Sequence, residues 1–187
     1  MKKTRVAALA AAALVCLAIP ACALASGAST SVSLLGGSLS FSTTPSASNF
    51  PSTSLTGAQQ TIHTNLASWG VTDATGSSAG WHVTFQASQF TGAGAITLPP
   101  SSLVLSAPSV TPNGINLAVP PVLQGVTFTL DGGSAVPIVH ALTGTGQGAW
   151  TMTQGNAAGG DLALTIPASA EAGTYTSNLT FTLATGP

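Results

Sequence analysis

Apolar and polar residues alternate strictly in the middle of the chain. Trp81, Val83 and Phe85 occupy every second position, and His82 and Thr84 lie between them. Successive side chains of a β-strand point to opposite faces of the sheet. The pattern therefore predicts a half-buried strand whose apolar face turns towards a hydrophobic core.

A second alternating stretch lies near the C-terminus, between residues 175 and 183. Tyr175, Leu179, Phe181 and Leu183 share one face, and threonine and asparagine residues occupy the other. We interpret the rest of the chain as strands and loops that close a core over these two stretches.

Shorter alternating stretches bounded by Gly or Pro predict further strands. They span residues 39–42, 103–105, 126–130, 136–142, 149–153 and 162–166. The region 58–71 predicts one or two strands, with a short helix as the alternative. Many short strands separated by turns are typical of a β-sandwich, so we expect an all-β protein with a single antiparallel β-sandwich domain over 39–187, preceded by a flexible segment, 26–38.

Three glycine-rich segments predict how these strands are connected. Residues 73–79 form a Gly/Ser turn into the Trp81 strand, which predicts a hairpin. Asp131-Gly132-Gly133 predicts a tight turn between 126–130 and its partner strand 136–142. The glycines of 143–148 are not followed by a helical pattern, so they predict a flexible hairpin loop rather than a phosphate-binding loop.

The first 25 residues have the pattern of a secretory signal peptide. A basic start precedes an apolar run over 6–19 and the small-residue site Ala23-Leu24-Ala25. The apolar run is short for a membrane span, so we expect cleavage after Ala25 rather than anchoring. Lipidation at Cys22 is the second possibility. The basic residues of this segment are Lys2, Lys3 and Arg5.

The charge distribution restricts the possible partners. Every Lys, Arg and Cys lies in the predicted signal peptide, and the remaining chain has four carboxylates and no basic side chain. Proteins bind nucleic acid by neutralising phosphates with Lys and Arg, so nucleic acid is excluded, and after cleavage no membrane partner is expected. A glycan held by stacking and neutral hydrogen bonds, or a protein strand, fits this composition.

The residue types that carry catalysis are sparse. The three histidines, His63, His82 and His140, are far apart in sequence, and no Gly-x-Ser-x-Gly motif occurs. Asp73, Asp131 and Asp161 neighbour turn residues, so we expect them to organise turns through hydrogen bonds to the backbone. The sequence predicts no catalytic residue, no metal site and no cofactor; an enzyme acting on a glycan is one of two alternatives.

Two stretches together resemble the signatures of the WxL domain, a family of secreted surface proteins of Gram-positive bacteria. Val71-Thr72-Asp73 followed by Gly80-Trp81-His82-Val83-Thr84 resembles the first. Ile166-Pro167, Ala172-Gly173-Thr174-Tyr175-Thr176 and Leu179-Thr180-Phe181-Thr182-Leu183 resemble the second, and Gly148-Ala149-Trp150-Thr151 also fits. The chain departs from the family pattern at two motif positions, where Val83 replaces Leu and Phe181 replaces Trp.

This resemblance implies a β-rich domain that attaches non-covalently to the cell wall through peptidoglycan or another wall glycan, alongside other surface proteins. It implies Trp81, Val83, Phe181 and Leu183 as motif residues. Their apolar strand faces favour core packing over ligand contact. Trp69, beside Gly70, is the aromatic residue that we expect to be exposed. A structural subunit of a surface or spore-coat-like assembly, joined by β-strand pairing, is the alternative function.

Overall fold

The computed structural model describes residues 27–155 and 160–187. The predicted signal peptide therefore lies outside the described residues. The chain divides into two units, Met1–Ser33 and Leu34–Pro187, and every strand among the described residues lies in the second. Residues 27–38 contain no strand or helix. No helix in the described ranges is long and apolar enough to span a bilayer.

The described residues form fourteen strands and one turn of 3-10 helix, Ala93–Ala95, which confirms the predicted all-β class. The strands are β1 Leu39–Thr43, β2 Gln60–Thr64, β3 Trp69–Asp73, β4 Trp81–Ala87, β5 Thr91–Gly92, β6 Leu103–Ser106, β7 Ser109–Pro112, β8 Val122–Leu123, β9 Thr127–Thr129, β10 Val136–Ala141, β11 Gly148–Thr153, β12 Leu162–Ile166, β13 Tyr175–Thr176 and β14 Leu179–Thr185.

These bounds confirm the strands predicted from alternation, with small shifts at their ends. The region 58–71 contributes to two strands, β2 and β3, so the alternative of a short helix is wrong. The stretch predicted as one C-terminal strand is divided at Ser177 and Asn178 into β13 and β14.

All strand pairings are antiparallel and build three four-stranded sheets and one two-stranded sheet. Their strand orders are β1-β3-β11-β7, β14-β4-β10-β8, β2-β12-β6-β9 and β13-β5. The two alternating stretches that stand out in the sequence are neighbours, because β14 pairs with β4 and places Phe181 opposite Phe85 and Leu183 opposite Val83.

None of the ten pairings among the described strands joins two strands that follow each other directly along the chain. Both predicted hairpins are therefore wrong. After β3 the chain leaves its sheet and enters another at β4, and β9 pairs with β6 while β10 pairs with β4 and β8. The predicted hairpin loop 143–148 also connects two sheets, since β10 and β11 belong to different ones.

One hydrophobic core is shared by the three large sheets. Its fully buried side chains come mainly from inner strands of these sheets, where both edges of the strand are hydrogen-bonded. Trp69 of β3 and Phe85 of β4 connect two sheets, with ring centroids 5.3 Å apart. The largest fully buried residues of the inner strands are Trp69, Trp81, Trp150, Phe85, Leu103, Leu105, Ile138, Met152 and Leu162.

Two buried tryptophans share one acceptor in the loop between β10 and β11. The indole Nε1 of Trp81 and that of Trp150 each donate a hydrogen bond of 3.0 Å to the carbonyl oxygen of Gly146. The amide of Gly146 donates in turn to the carbonyl of Val119 at 2.9 Å. The loop thus supplies the polar partner that a buried indole requires. We call Trp81, Trp150 and Gly146 the indole clamp.

Three aspartates are buried and accept hydrogen bonds from the backbone. Asp73 accepts from the amide of Thr75 at 3.1 Å, which confirms its predicted role in a turn, and Asp161 accepts from Gly155 at 2.7 Å. Asp131 instead reaches a distant segment and accepts from the amides of Ser102 and Leu103, each at 3.0 Å. These carboxylates compensate for their burial through such bonds.

Candidate functional site

The four predicted motif residues divide into two pairs of different exposure. Trp81 and Val83 are 0% exposed in the core, where no wall polymer can contact them. Phe181 and Leu183 are half-buried on β14, at the edge of their sheet. The structure therefore places Trp81 and Val83 in the core and leaves Phe181 and Leu183 partly accessible.

The prediction that Trp69 is exposed is wrong, because its side chain is only 1% exposed. The neighbouring Gly70 does not mark an irregular surface position. A Cβ atom there would lie 2.4 Å from the hydroxyl of Ser42 and 3.1 Å from the carbonyl oxygen of Trp150. Gly70 permits the close approach of β1 and β11 to β3, which buries Trp69.

A large groove lies beside β12, with a volume of about 1040 Å³. Its floor reaches the core at Leu103 and Leu162 and continues outwards along β12 through Leu164 and Ile166. Two irregular segments, 47–55 and 170–177, form its walls. Pockets of several hundred to about 1000 Å³ with mostly apolar linings are typical of ligand sites.

The 47–55 wall is fixed to the domain by hydrogen bonds to β2 and the residues after it. Thr64 donates its hydroxyl to the carbonyl of Asn49 at 3.0 Å, and the amide of Ser48 donates to Asn65 at 3.0 Å. Farther along, the side-chain amide of Gln60 donates to the carbonyl of Ser54 at 3.1 Å. These bonds give an irregular Ser- and Thr-rich segment a defined path.

The 170–177 wall is held by β13. Tyr175 pairs with Gly92 and Thr176 with Thr91, which joins the wall to β5. The hydroxyl of Tyr175 donates to the carbonyl of Glu171 at 2.9 Å. The break between β13 and β14 allows this segment to leave the β14 sheet and bend over the groove.

Aromatic rings line the groove together with small polar side chains. Phe50 of one wall meets Phe90 edge to face, with centroids 6.2 Å apart. Phe181 packs edge to face on the buried Phe85, with centroids 4.6 Å apart, and Tyr175 is half-buried in the opposite wall. Aromatic rings with nearby hydroxyl groups can stack on a ring or an acyl group and hydrogen-bond to its substituents.

Glu171 is the only charged residue among those described in the lining of the groove. Neutral hydroxyls from Ser52, Thr53, Ser54 and Thr174 make up much of the polar rim. A ligand is therefore selected by shape, stacking and neutral hydrogen bonds, and a strongly anionic ligand finds no counter-charge.

The groove coincides with the second motif. Ile166, residues 172–176, Leu179 and Phe181 all line it, whereas Leu183 does not. Phe85, which is buried on the same strand as Trp81, packs against the ring of Phe181 from the core side. The sequence reveals this part of the site through its resemblance, but Phe50 and Phe90 carry no such signal and were missed.

Two histidines that are far apart in sequence also come together. His82 of β4 and His140 of β10 are direct partners in the register of their sheet. They share a shallow surface depression with Thr84, Gln124 and Leu142. Spacing along the chain could not show this, because it depends on which strands pair.

The fold defines an all-β domain with a groove of the size that ligand sites have. The chain belongs to the WxL family, since the family model described as WxL domain surface cell wall-binding matches residues 30–187. The protein is accordingly a cell-wall-associated surface protein. Neither the curated proteins nor the solved structures provide a significant match to the chain.

Proposed function

We propose that the groove attaches this domain non-covalently to peptidoglycan and that the protein acts there as a binding module without catalysis. The observation that carries the proposal is the position of the second family motif, whose residues form one wall and part of the floor of the groove. Trp81 and Val83 of the first motif are buried in the core, which supports a role in stabilising the fold rather than in contacting the ligand.

The chemistry of the groove supports a wall glycan with its peptide stem. Sugar rings and peptide methyl groups present apolar faces that pack on Phe and Tyr, and their hydroxyl and amide groups match a rim of Ser and Thr. The carboxylate of Glu171 offers a partner for an ammonium group on a peptide stem. The three aspartates are buried in hydrogen bonds to the backbone, which supports a role in binding rather than acid-base chemistry.

We expect Tyr175→Ala to weaken binding to purified peptidoglycan at least about tenfold, because tyrosine is enriched among the few residues that contribute most of the binding energy at an interface. A co-sedimentation titration measures this change. Its melting temperature should fall only slightly, since the ring of Tyr175 is half-buried at the edge of the core and its hydroxyl bonds within its own wall.

Leu55 and Leu117 offer a matched pair of control variants. Leu55 lines the groove and is 44% exposed, whereas Leu117 is 96% exposed and lies outside it. Leu55→Glu should reduce wall binding and Leu117→Glu should not, although both add the same charge. Equal binding by the two variants would contradict the proposal that the groove is the binding site.

The second candidate function, a subunit joined by strand pairing, is favoured by one observation. β14 is a seven-residue strand at the edge of its sheet and contains neither a charged residue nor proline. Natural edge strands usually carry such residues to prevent association. Concentration-dependent polymers in sedimentation velocity, without retention on peptidoglycan, would support the subunit over the wall-binding module.

Export through a cleaved signal peptide is also part of this proposal. We expect N-terminal sequencing of the secreted protein to begin at Ser26, following the Ala23-Leu24-Ala25 site. Protein that retains a lipid-modified Cys22 at its N-terminus would contradict cleavage after Ala25 and would make the protein membrane-anchored.

A further inference from the structure

His82 and His140 form a cross-strand pair on the outer face of the sheet that contains β4 and β10. Their chain neighbours Trp81, Val83 and Val139 are buried, so alternation turns both imidazoles away from the core. Directly opposed residues of antiparallel strands have Cβ atoms about 4.5–5.5 Å apart. Two imidazoles at this separation can direct nitrogen lone pairs at one point above the sheet.

The backbone fixes the orientation of the His82 ring. Its Nδ1 lies 2.7 Å from the carbonyl oxygen of Gly186. A carbonyl can only accept, so Nδ1 carries the proton of this hydrogen bond. In the neutral imidazole the lone pair then lies on Nε2. A histidine that binds a metal through one ring nitrogen usually donates a hydrogen bond from the other, often to a backbone carbonyl.

The ring of His140 also has a hydrogen-bonding partner, in the segment that follows β8. Its Nδ1 contacts the side-chain amide of Gln124, which follows β8. A half-turn of the amide presents its oxygen instead of its nitrogen to the ring. With the oxygen facing the ring, Nδ1 donates and Nε2 of His140 also offers its lone pair outwards.

We propose that His82 and His140 bind a divalent transition-metal ion, Zn²⁺, in this surface depression. Neutral imidazole nitrogen is a preferred ligand of Zn²⁺, and Gly186 and Gln124 act as orienting partners. The described residues contain no group of three or more His, Cys, Asp or Glu side chains able to hold a metal. The site is therefore an open one with two protein ligands, and water completes the coordination.

The composition of the chain makes this proposal simple to test, because few other side chains are able to bind zinc. Outside the predicted signal peptide there is no cysteine, and His63 is the only other histidine. His63 lies on β2, in a different sheet. A His63→Asn variant is therefore a matched control that removes one imidazole but leaves the pair intact.

The test is calorimetric titration of ZnCl₂ into the secreted protein, purified without a histidine tag. We expect one bound equivalent. His82→Ala and His140→Ala should each lower the affinity at least about tenfold, because the loss of an orienting partner alone typically costs 10–100-fold. His63→Asn should bind as the wild type does. Gln124→Glu should tighten binding about tenfold, since a carboxylate accepts the Nδ1 proton more strongly than an amide.

A second measurement avoids reliance on variants that fold poorly. In the histidine-ring ¹H–¹⁵N spectrum of the wild-type protein, ZnCl₂ should shift the signals of two imidazoles and leave the third unchanged. A wild-type protein with no zinc heat would overturn the proposal. So would a shift of the His63 ring alone, or folded His82→Ala and His140→Ala variants with wild-type affinity.

Discussion

Replacement of Trp81 by alanine is expected to lower the free energy of unfolding by about 3–5 kcal/mol, the usual cost of truncating a buried aromatic side chain. The side chain is 0% exposed, and its indole donates a hydrogen bond to Gly146. A domain of ordinary stability has only about 5–15 kcal/mol in total. Urea unfolding followed by far-UV circular dichroism measures the change.

Trp81→Phe separates the two parts of this effect. It retains an apolar ring in the core but removes the bond to Gly146, so we expect a smaller loss of about 1–2 kcal/mol. We expect a Trp81 variant to lose peptidoglycan binding only if it also fails to fold. A Trp81→Ala protein that melts like the wild type but no longer binds peptidoglycan would contradict us and make Trp81 a ligand contact.

Gly146→Ala is expected to lower the free energy of unfolding nearly as much as Trp81→Ala does, although it adds only a single methyl group. The backbone of Gly146 has φ of 71°, and a Cβ atom would lie 2.3 Å from the Cβ of Ala141 and 3.0 Å from the Nε1 of Trp81. Left-handed strain costs about 1–2 kcal/mol and overpacking a further 1–3 kcal/mol. We therefore expect a loss of about 3 kcal/mol in denaturant unfolding, with an altered tryptophan emission spectrum.

Gly144→Ala is the matched control in the same loop. Gly144 also has a positive φ, of 81°, but a Cβ atom there would meet nothing within 4 Å. Only the conformational strain remains, so we expect a loss of about 1 kcal/mol. Equal losses for Gly144→Ala and Gly146→Ala would show that the indole clamp contributes nothing beyond the backbone conformation.

The individual strands could be predicted from the sequence because alternation is a local property. Trp81, Val83 and Phe85 alternate with polar residues, and the structure buries these three and turns the intervening residues away from the core. The same argument identified β12 with its observed bounds. Where alternation is weak, as at Trp69 beside Gly70, the predicted exposure is wrong. Gly70 is needed for the close approach of β1 and β11, which lie far from it in sequence.

The pairing of the strands could not be predicted in this way. Alternation determines which face of a strand is buried but not which strand lies beside it. Turn residues at 73–79 and 131–133 favoured hairpins, yet both segments connect different sheets. The cross-strand position of His82 opposite His140 depends on that pairing, so the sequence could not predict it either.

The groove was predicted only in part, for a related reason. The residues of its second-motif wall could be recognised by resemblance, whereas the 47–55 wall has no periodic pattern and is held by bonds to Thr64 and Gln60. Phe50 is placed by this wall, and its ring meets Phe90, which is 40 positions farther along the chain.

The absence of pairing between consecutive described strands has a consequence for the kinetics of folding. Proteins dominated by contacts between distant residues fold slowly, because loop-closure entropy is lost before any contact is gained. The inner strand β4 is fully hydrogen-bonded only when both β10 and β14, which ends at Thr185, are paired with it. One edge of β4 can therefore be paired once residue 141 is available, whereas the other edge stays unpaired until residues 179–185 are available. We expect the pairing of β14 with β4 to be among the last steps when the domain folds.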